Sequence, residues 1–366
     1  MMNLELAESE LRAGARIEYA RFRPQALAEP LPADVLAAVT FGRGASLSSD
    51  PRLIRVGLDP LGSADLMELW RAAGPVRTGG SGLIRFATDG EHLAGRLELD
   101  EREHAGLAAA TQWAYAAILS FQAQSPCPHL LRMWNYFDDI NAGEGDAERY
   151  KQFCIGRAAA FAAAPFAAAP FFAATPLAAA ASRPAARPAS TAGKRAAAER
   201  DRFPAATAIG RRDGSHILQI YWLAARVPGI ALENPRQMSA YRYPRAYGPA
   251  SPTFSRAMLA PPGLLLISGT ASIVGHASQH SGSLRDQLDE TLANLASLFE
   301  RGTALEPALA RLGTRARLKV YLRDGASANL AAAHLAERLP LGAQCLMLEA
   351  DICRAELLVE VDCAHA

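Results

Sequence analysis

The chain has 366 residues, 50% of them apolar but only 7% aromatic, and a formal net charge of +1 from 38 basic and 37 acidic side chains. That balance leaves no global field to recruit nucleic acid or an anionic membrane, so an anionic ligand has to be held by local basic groups. Five cysteines (Cys127, Cys154, Cys345, Cys353, Cys363), odd in number and without Cys-x-x-Cys or Cys/His ligand spacing, argue for reduced thiols in the cytoplasm and against a structural zinc.

The first residues lack a basic segment followed by an apolar run, so no signal peptide is expected. Residues 1–44 mix charges, prolines and alanines without sustained periodicity and read as an extension, although Val35 to Phe41 and Leu53 to Val56 have the composition of short strands. Leu83 to Phe86 and Leu97 to Leu99 form a hairpin pattern around Asp89-Gly90. Leu107, Ala110, Trp113, Ala114, Ala117 and Ile118 then recur at helical spacing between Glu101 and Phe121. Leu130 to Asn141 reads as a strand running into a polar turn, and Glu148 to Arg157 as a helix. On that helix Arg149, Tyr150, Phe153 and Arg157 share roughly one face; this is either a core stripe with solvated arginines or a site for a planar anion.

From 158 to about 202 the composition changes to alanine, proline, phenylalanine and then serine and arginine. Repeated prolines exclude a long helix, varied large apolar residues are missing, and the segment reads as a disordered low-complexity insertion. Pro165, Pro170 and Pro176 interrupt it, so it is not expected to span a membrane. Ile217 to Ala225 alternates as a central strand, closing a first sheet. Tyr241 to Pro252 is a loop dense in proline and glycine that concentrates Tyr241, Tyr243, Tyr247, Arg242 and Arg245, a composition suited to binding.

The final part begins with a buried strand, Leu264 to Ala271, ending in the small residues Ser268-Gly269-Thr270-Ala271, where a ligand can approach the backbone. A helix from Leu284 to Phe299, a strand from 315 to 323, a helix from Ala328 to Leu339 and strands at Ala343 to Glu349 and Ile352 to Val361 follow. This order describes an α+β unit with both helices on one face. The earlier half offers a comparable alternation, so two related domains side by side, with a cleft between them, are expected. His276 and His280 lie among Gly275, Ser278 and Gly282, and a loop there is expected to hold no metal.

In the last stretch Leu357, Val359 and Val361 alternate with Leu358, Glu360 and Asp362. Glu360 is open to two readings: a solvent-facing carboxylate on an edge strand, or a carboxyl whose pKa is raised among apolar neighbours so that it can donate a proton near neutral pH. Cys353 is likewise either a small buried thiol or a site residue.

The C-terminal part resembles the RidA/YjgF fold, whose closing strand has a Val-Glu-Ile-Glu-like sequence and points an acidic side chain into an interface cleft. Taken together, Trp134-Asn135-Tyr136, the Glu148-Arg149-Tyr150 to Gly156-Arg157 helix, Phe203 to Gly210, Tyr243-Pro244 with Tyr247-Gly248-Pro249, Ser268 to Ser272, and Ile352-Cys353-Arg354 to Glu360 resemble the chorismatases over about residues 45–157 and 203–366. The resemblance implies a degenerate RidA-like domain at 45–235 containing the 158–202 insertion, and a catalytic RidA/YjgF-like domain at 236–366. It implies removal of the enolpyruvyl group of chorismate to give pyruvate and 3-hydroxybenzoate, with 4-hydroxybenzoate also formed in one subgroup. Glu360 matches the family's catalytic acid, and Cys353, seven residues before it, resembles the branch that makes 3-hydroxybenzoate.

The two carboxylates of chorismate call for bidentate cations: Arg157 with Arg149 or Lys151 beside it for one, Arg323 for the other. Tyr243 and Tyr247 are expected to bond or cover the ring, and Gly269 and Ala271 to let it approach. No metal or organic cofactor is implied. The alternatives are a chorismate hydrolase releasing a dihydroxycyclohexadiene carboxylate, and an enamine or imine deaminase of the RidA type.

Overall fold

Alternating apolar side chains organise three main sheets, and where those side chains point decides which faces are covered. The structure, a computed structural model, describes residues 15–21, 30–43, 49–62, 66–164, 203–309 and 315–365. A six-stranded sheet runs in the order Ala205–Arg211, His129–Asp138, Ile217–Ala225, His92–Asp100, Ile84–Thr88, Arg77–Ser81. Its first pair is parallel and the rest antiparallel. Helices α1 (Leu107–Gln124) and α2 (Arg149–Ala163) cover one face over a core that includes Leu97, Tyr115, Met133, Phe137, Phe153 and Trp222. Gly156 lets the two helices touch, since a Cβ there would strike the Ala108 carbonyl.

A seven-stranded sheet has the order Ile230–Leu232, Ala257–Ala260, Leu264–Ala271, Val359–His365, Ala316–Leu322, Gln344–Glu349, Asp59–Leu61. Helices α3 (Leu284–Leu305) and α4 (Ala328–Arg338) bury Leu288, Leu295, Leu298 and Leu335 against Val359 and Val361 on its outer face. Ser283 caps α3 by accepting the Asp286 N–H at 3.4 Å. The inner faces of the two sheets meet in a shared core. Trp134, Tyr136 and Tyr221 come from one, Met258, Leu266 and Tyr321 from the other, and Leu36, Val39 and Trp70 from a third sheet beside them. Helix pair, sheet, core, sheet, helix pair is the expected α+β arrangement of two units side by side.

Several boundaries differ from expectation. Residues 1–44 are not simply an extension: Arg16–Arg21 and Val35–Phe41 join Leu66–Arg71 and Leu53–Val56 in a four-stranded sheet. Arg16–Arg21 finds its partner at Leu66–Arg71, which no local pattern announces. The C-terminal sheet recruits Ile230–Leu232 and Asp59–Leu61 from before position 236. The insertion starts later than 158, because α2 continues to Ala163; positions 165–202 lie outside the described residues. The closing strand is Val359–His365, and 352–358 is not strand.

Candidate active site

Val359–His365 is central, antiparallel to Leu264–Ala271 on one side and to Ala316–Leu322 on the other. A period of two sends Val359, Val361 and Cys363 beneath the helices, so Glu360 and Asp362 face the opposite way, toward the six-stranded sheet. This removes the solvent-facing reading: Glu360 is 5% exposed and Asp362 3%. The Glu360 carboxyl rests against Gly269, where any Cβ would collide with it. Burial, reinforced by the charge of Asp362, pushes Glu360 from the ordinary 4.5 up to about 8, with Arg132 and Arg256 opposing. A carboxyl in that state still carries its proton at neutral pH, as a general acid requires.

Glu360 stands at a neck between two chambers. The outer one, about 310 Å³, is walled by Lys151, Tyr243, Tyr247, Arg256, Ala271 and Arg354 among others. The inner one, about 40 Å³, reaches Phe153, Cys154, Arg157 and Thr207. Tyr150, Phe254, Gly269, Cys353 and Glu360 line both.

Three cations serve the outer chamber. The Arg354 guanidinium lies 4.2 Å above the Tyr247 ring and 5.4 Å from that of Tyr243, and its Nη1 donates to the His276 carbonyl at 2.9 Å and Ser278 Oγ at 3.0 Å. Arg256, buried, donates from Nη2 to the Met238 carbonyl at 2.7 Å and to Tyr243 Oη at 2.8 Å, while its Nε has no partner among the described residues. Lys151 is partly neutralised by Glu148 at 2.9 Å. Tyr247 Oη sits 3.0 Å from His276 Nδ1.

The inner chamber holds one cation in a different condition. Arg157 is 3% exposed, and its Nε and Nη2 have no hydrogen-bond partner among the described residues. The rings of Tyr115 and Phe161 lie 5.1 and 5.5 Å from its guanidinium carbon. A buried guanidinium with free N–H groups is costly unless an anion comes to it. The site therefore sets a buried carboxyl with a raised pKa where two chambers adjoin, with basic groups in each.

Known proteins point the same way. A family described as "Chorismatase FkbO/Hyg5-like, N-terminal" matches residues 68–185. A chorismatase of Streptomyces rapamycinicus is 33% identical over 305 residues, 81% of this chain and 80% of that protein. The chain belongs to the chorismatase family. A 3-hydroxybenzoate synthase of Streptomyces hygroscopicus is 31% identical, covering 81% of this chain and 80% of the relative. A chorismatase crystal structure, 28% identical, superposes with a TM-score of 0.75 over 97% of this chain and 99% of its own.

Among the residues expected at the site of this chorismatase, Glu360, Cys353, Lys151, Tyr243, Tyr247, Gly269 and Ala271 line the outer chamber, and Arg157 the inner one. Two expectations fail. Arg149 turns away from the cleft to pair with Glu101 at 2.8 Å and to donate to the Asp138 carbonyl at 2.8 Å. Arg323 is a loop clamp: it donates to the carbonyls of Ile352, Arg354 and Leu357 and to Asn141 and Asp351, at 2.6 to 3.2 Å. It thereby shapes the 352–358 segment that presents Cys353 and Arg354.

Sequence reasoning missed Arg256 and Arg354. Arg354 adjoins Cys353 and Arg256 lies four residues past the tyrosine-rich loop, so adjacency was the available signal. No periodicity could rank them above the chain's other arginines.

Proposed function

We propose that the enzyme converts chorismate to pyruvate and 3-hydroxybenzoate, with 4-hydroxybenzoate as a second product. The observation that carries this reading is the buried Glu360 carboxyl, its pKa pushed up by burial, at the junction of two chambers with Arg157 in one and Arg256 and Arg354 in the other. Chorismate is a dianion whose enol ether lies between its two carboxylates. With the ring and its carboxylate in the larger chamber, under Tyr243 and Tyr247, the small enolpyruvyl carboxylate reaches Arg157 and the vinyl carbon comes to rest at Glu360.

Glu360 gives its proton to the methylene carbon, and the π electrons form the new C–H bond, leaving an oxocarbenium ion at the ether carbon. The ring hydroxyl then attacks the ring carbon that bears the ether. The C–O electrons leave with pyruvate, and the Glu360 carboxylate recovers a proton. Aromatisation completes hydroxybenzoate, and chorismate equals the sum of the two products with no water consumed.

Burial pushes the Cys353 thiol well up, so it stays neutral. A neutral thiol at the neck occupies space from which water would approach the cation, which favours internal attack over hydrolysis. All five thiols are free, which fits a reducing cytoplasm. Among the described residues no helix is long and apolar enough to cross a membrane.

Incubating purified protein with chorismate and following pyruvate and hydroxybenzoates by chromatography tests the reading. Equal amounts of pyruvate and hydroxybenzoate are expected. Pyruvate with a dihydroxycyclohexadiene carboxylate would assign the hydrolase branch instead, and no turnover of chorismate with turnover of enamines would assign a deaminase.

A further inference from the structure

Behind Glu360, away from both chambers, lies a second set of buried charges. Asp362 Oδ2 accepts from Tyr321 Oη at 2.9 Å, Trp134 Nε1 at 3.1 Å and Thr207 Oγ1 at 3.3 Å, and Arg132 Nη2 is 3.3 Å away. Lys319 Nζ lies 3.9 Å from Asp362 Oδ1 and 2.9 Å from Glu68 Oε2. Asp362, Glu68, Arg132 and Lys319 are all at most 3% exposed, so two acids and two bases are sealed from solvent. The indole and the guanidinium can only donate, so Asp362 Oδ2 acts as an acceptor, with the Arg132 and Lys319 cations beside the carboxylate.

This cluster touches the reactive end of the site through one hydroxyl. Thr207 Oγ1 gives its hydrogen to Asp362, accepts from Arg132, and accepts the Gly269 N–H at 2.9 Å. Gly269 is the residue against which the Glu360 carboxyl rests. Asp362 is therefore joined to the proton donor by charge, two residues along the same strand face, and by position, through Thr207 and Gly269.

We propose that Asp362 is a positioning residue for the reaction: its fixed negative charge keeps the proton on Glu360, and Thr207 anchors the glycine backbone that seats the Glu360 carboxyl. The inference rests on Glu360 being the proton donor. Glu360 is faced by Asp362 on its own strand, Arg132 and Thr207 from the six-stranded sheet, and Arg256 beside the tyrosine loop. Tyr150 of α2 and Cys353 of the 352–358 loop complete its surroundings, with Tyr321 next to it on the adjacent strand. Of these only Asp362 supplies a fixed negative charge; the arginines pull in the opposite direction.

The test is D362N, read in two ways. In the ligand-free protein, the ionisation of the Glu360 carboxyl is followed by infrared difference spectroscopy against E360Q; with chorismate, kcat/KM for pyruvate release is followed against pH. Loss of the negative neighbour lowers the Glu360 pKa, so both the titration and the alkaline limb should move at least about one unit toward acid. At pH 8 that is roughly a tenfold loss relative to the variant's own acid plateau. The charge-balanced variant D362N/K319M keeps the cluster neutral and carries the same expectation should D362N fail to fold. T207V should lower kcat without moving the limb, and T207S should restore it.

A Glu360 titration that stays in place in both Asp362 variants overturns the proposal, as does a loss of rate equal at every pH. A titration that moves while the alkaline limb does not would instead count against Glu360 as the proton donor.

Discussion

The neck of the site and the cluster behind it treat two nearly equally buried carboxylates in opposite ways. Glu360, 5% exposed, is held near about 8, whereas Asp362, 3% exposed, is surrounded by donors and cations. Similar burial therefore comes with different surroundings: burial raises Glu360, while hydrogen-bond donors crowd Asp362. Asp362 receives three hydrogen bonds on one oxygen, and Glu360 has a glycine, a thiol and empty space beside it. One strand face thus provides a fixed anion and a usable proton two residues apart.

The contrast is broken most severely at Glu360 itself. E360Q keeps the shape of the side chain but removes the acid, and pyruvate release should fall on the order of 10²–10⁴-fold with KM little changed. A wild-type rate would place the acid elsewhere. Next in size is R157A, which removes the buried cation of the inner chamber and should raise KM roughly 10- to 100-fold. R149A serves as its counterpart on the same helix. Its guanidinium is engaged with the buried Glu101, so KM should stay within about twofold, with a stability loss of about 1–3 kcal/mol. Equal effects of the two substitutions on KM would remove Arg157 from the substrate's path.

C353A tests what guards the neck. If the thiol excludes water, opening that space should divert part of the product to a dihydroxycyclohexadiene carboxylate, measurable by chromatography while pyruvate release continues. An unchanged product distribution would leave the thiol without that role. The gentlest probe is pH. With Glu360 as the proposed proton donor, kcat/KM should decline as pH rises through about 8. Its folded pKa is raised above the unfolded value, so the stability contributed by the neutral form is fully present below about 4.5 and is lost as pH rises through about 8. E360Q should lack that slope, and its Tm should exceed wild type at pH 9. Identical pH dependence of Tm in the two proteins would mean that Glu360 is already ionised in the fold.

Much of the architecture was legible because it is local. Val35–Phe41, Ile217–Ala225 and Leu264–Ala271 match the strands read from alternation, and the helical spacing of Leu107 to Ile118 locates α1. Glu360 could be singled out because a carboxylate between valines violates the usual segregation of charge. Arg16–Arg21 and Asp59–Leu61 were not legible, since both owe their strand state to partners far away in the chain. The two arginines of α2 show the same limit inside the site. Both lie on the sequence's candidate face, yet Arg149 finds Glu101 and Arg157 finds no acid among the described residues, because neighbouring elements decide what each guanidinium meets.

By itself the sequence determined the α+β class, the order of most elements and the placement of an acid in the closing strand, because those follow from periodicities of two and 3.6 residues. Only the tertiary structure decided that this strand is central, that its polar face is sealed against a second sheet, and that Arg256 and Arg354 enter the site while Arg149 and Arg323 leave it. Those outcomes depend on distances between residues remote in the chain, which no local pattern encodes.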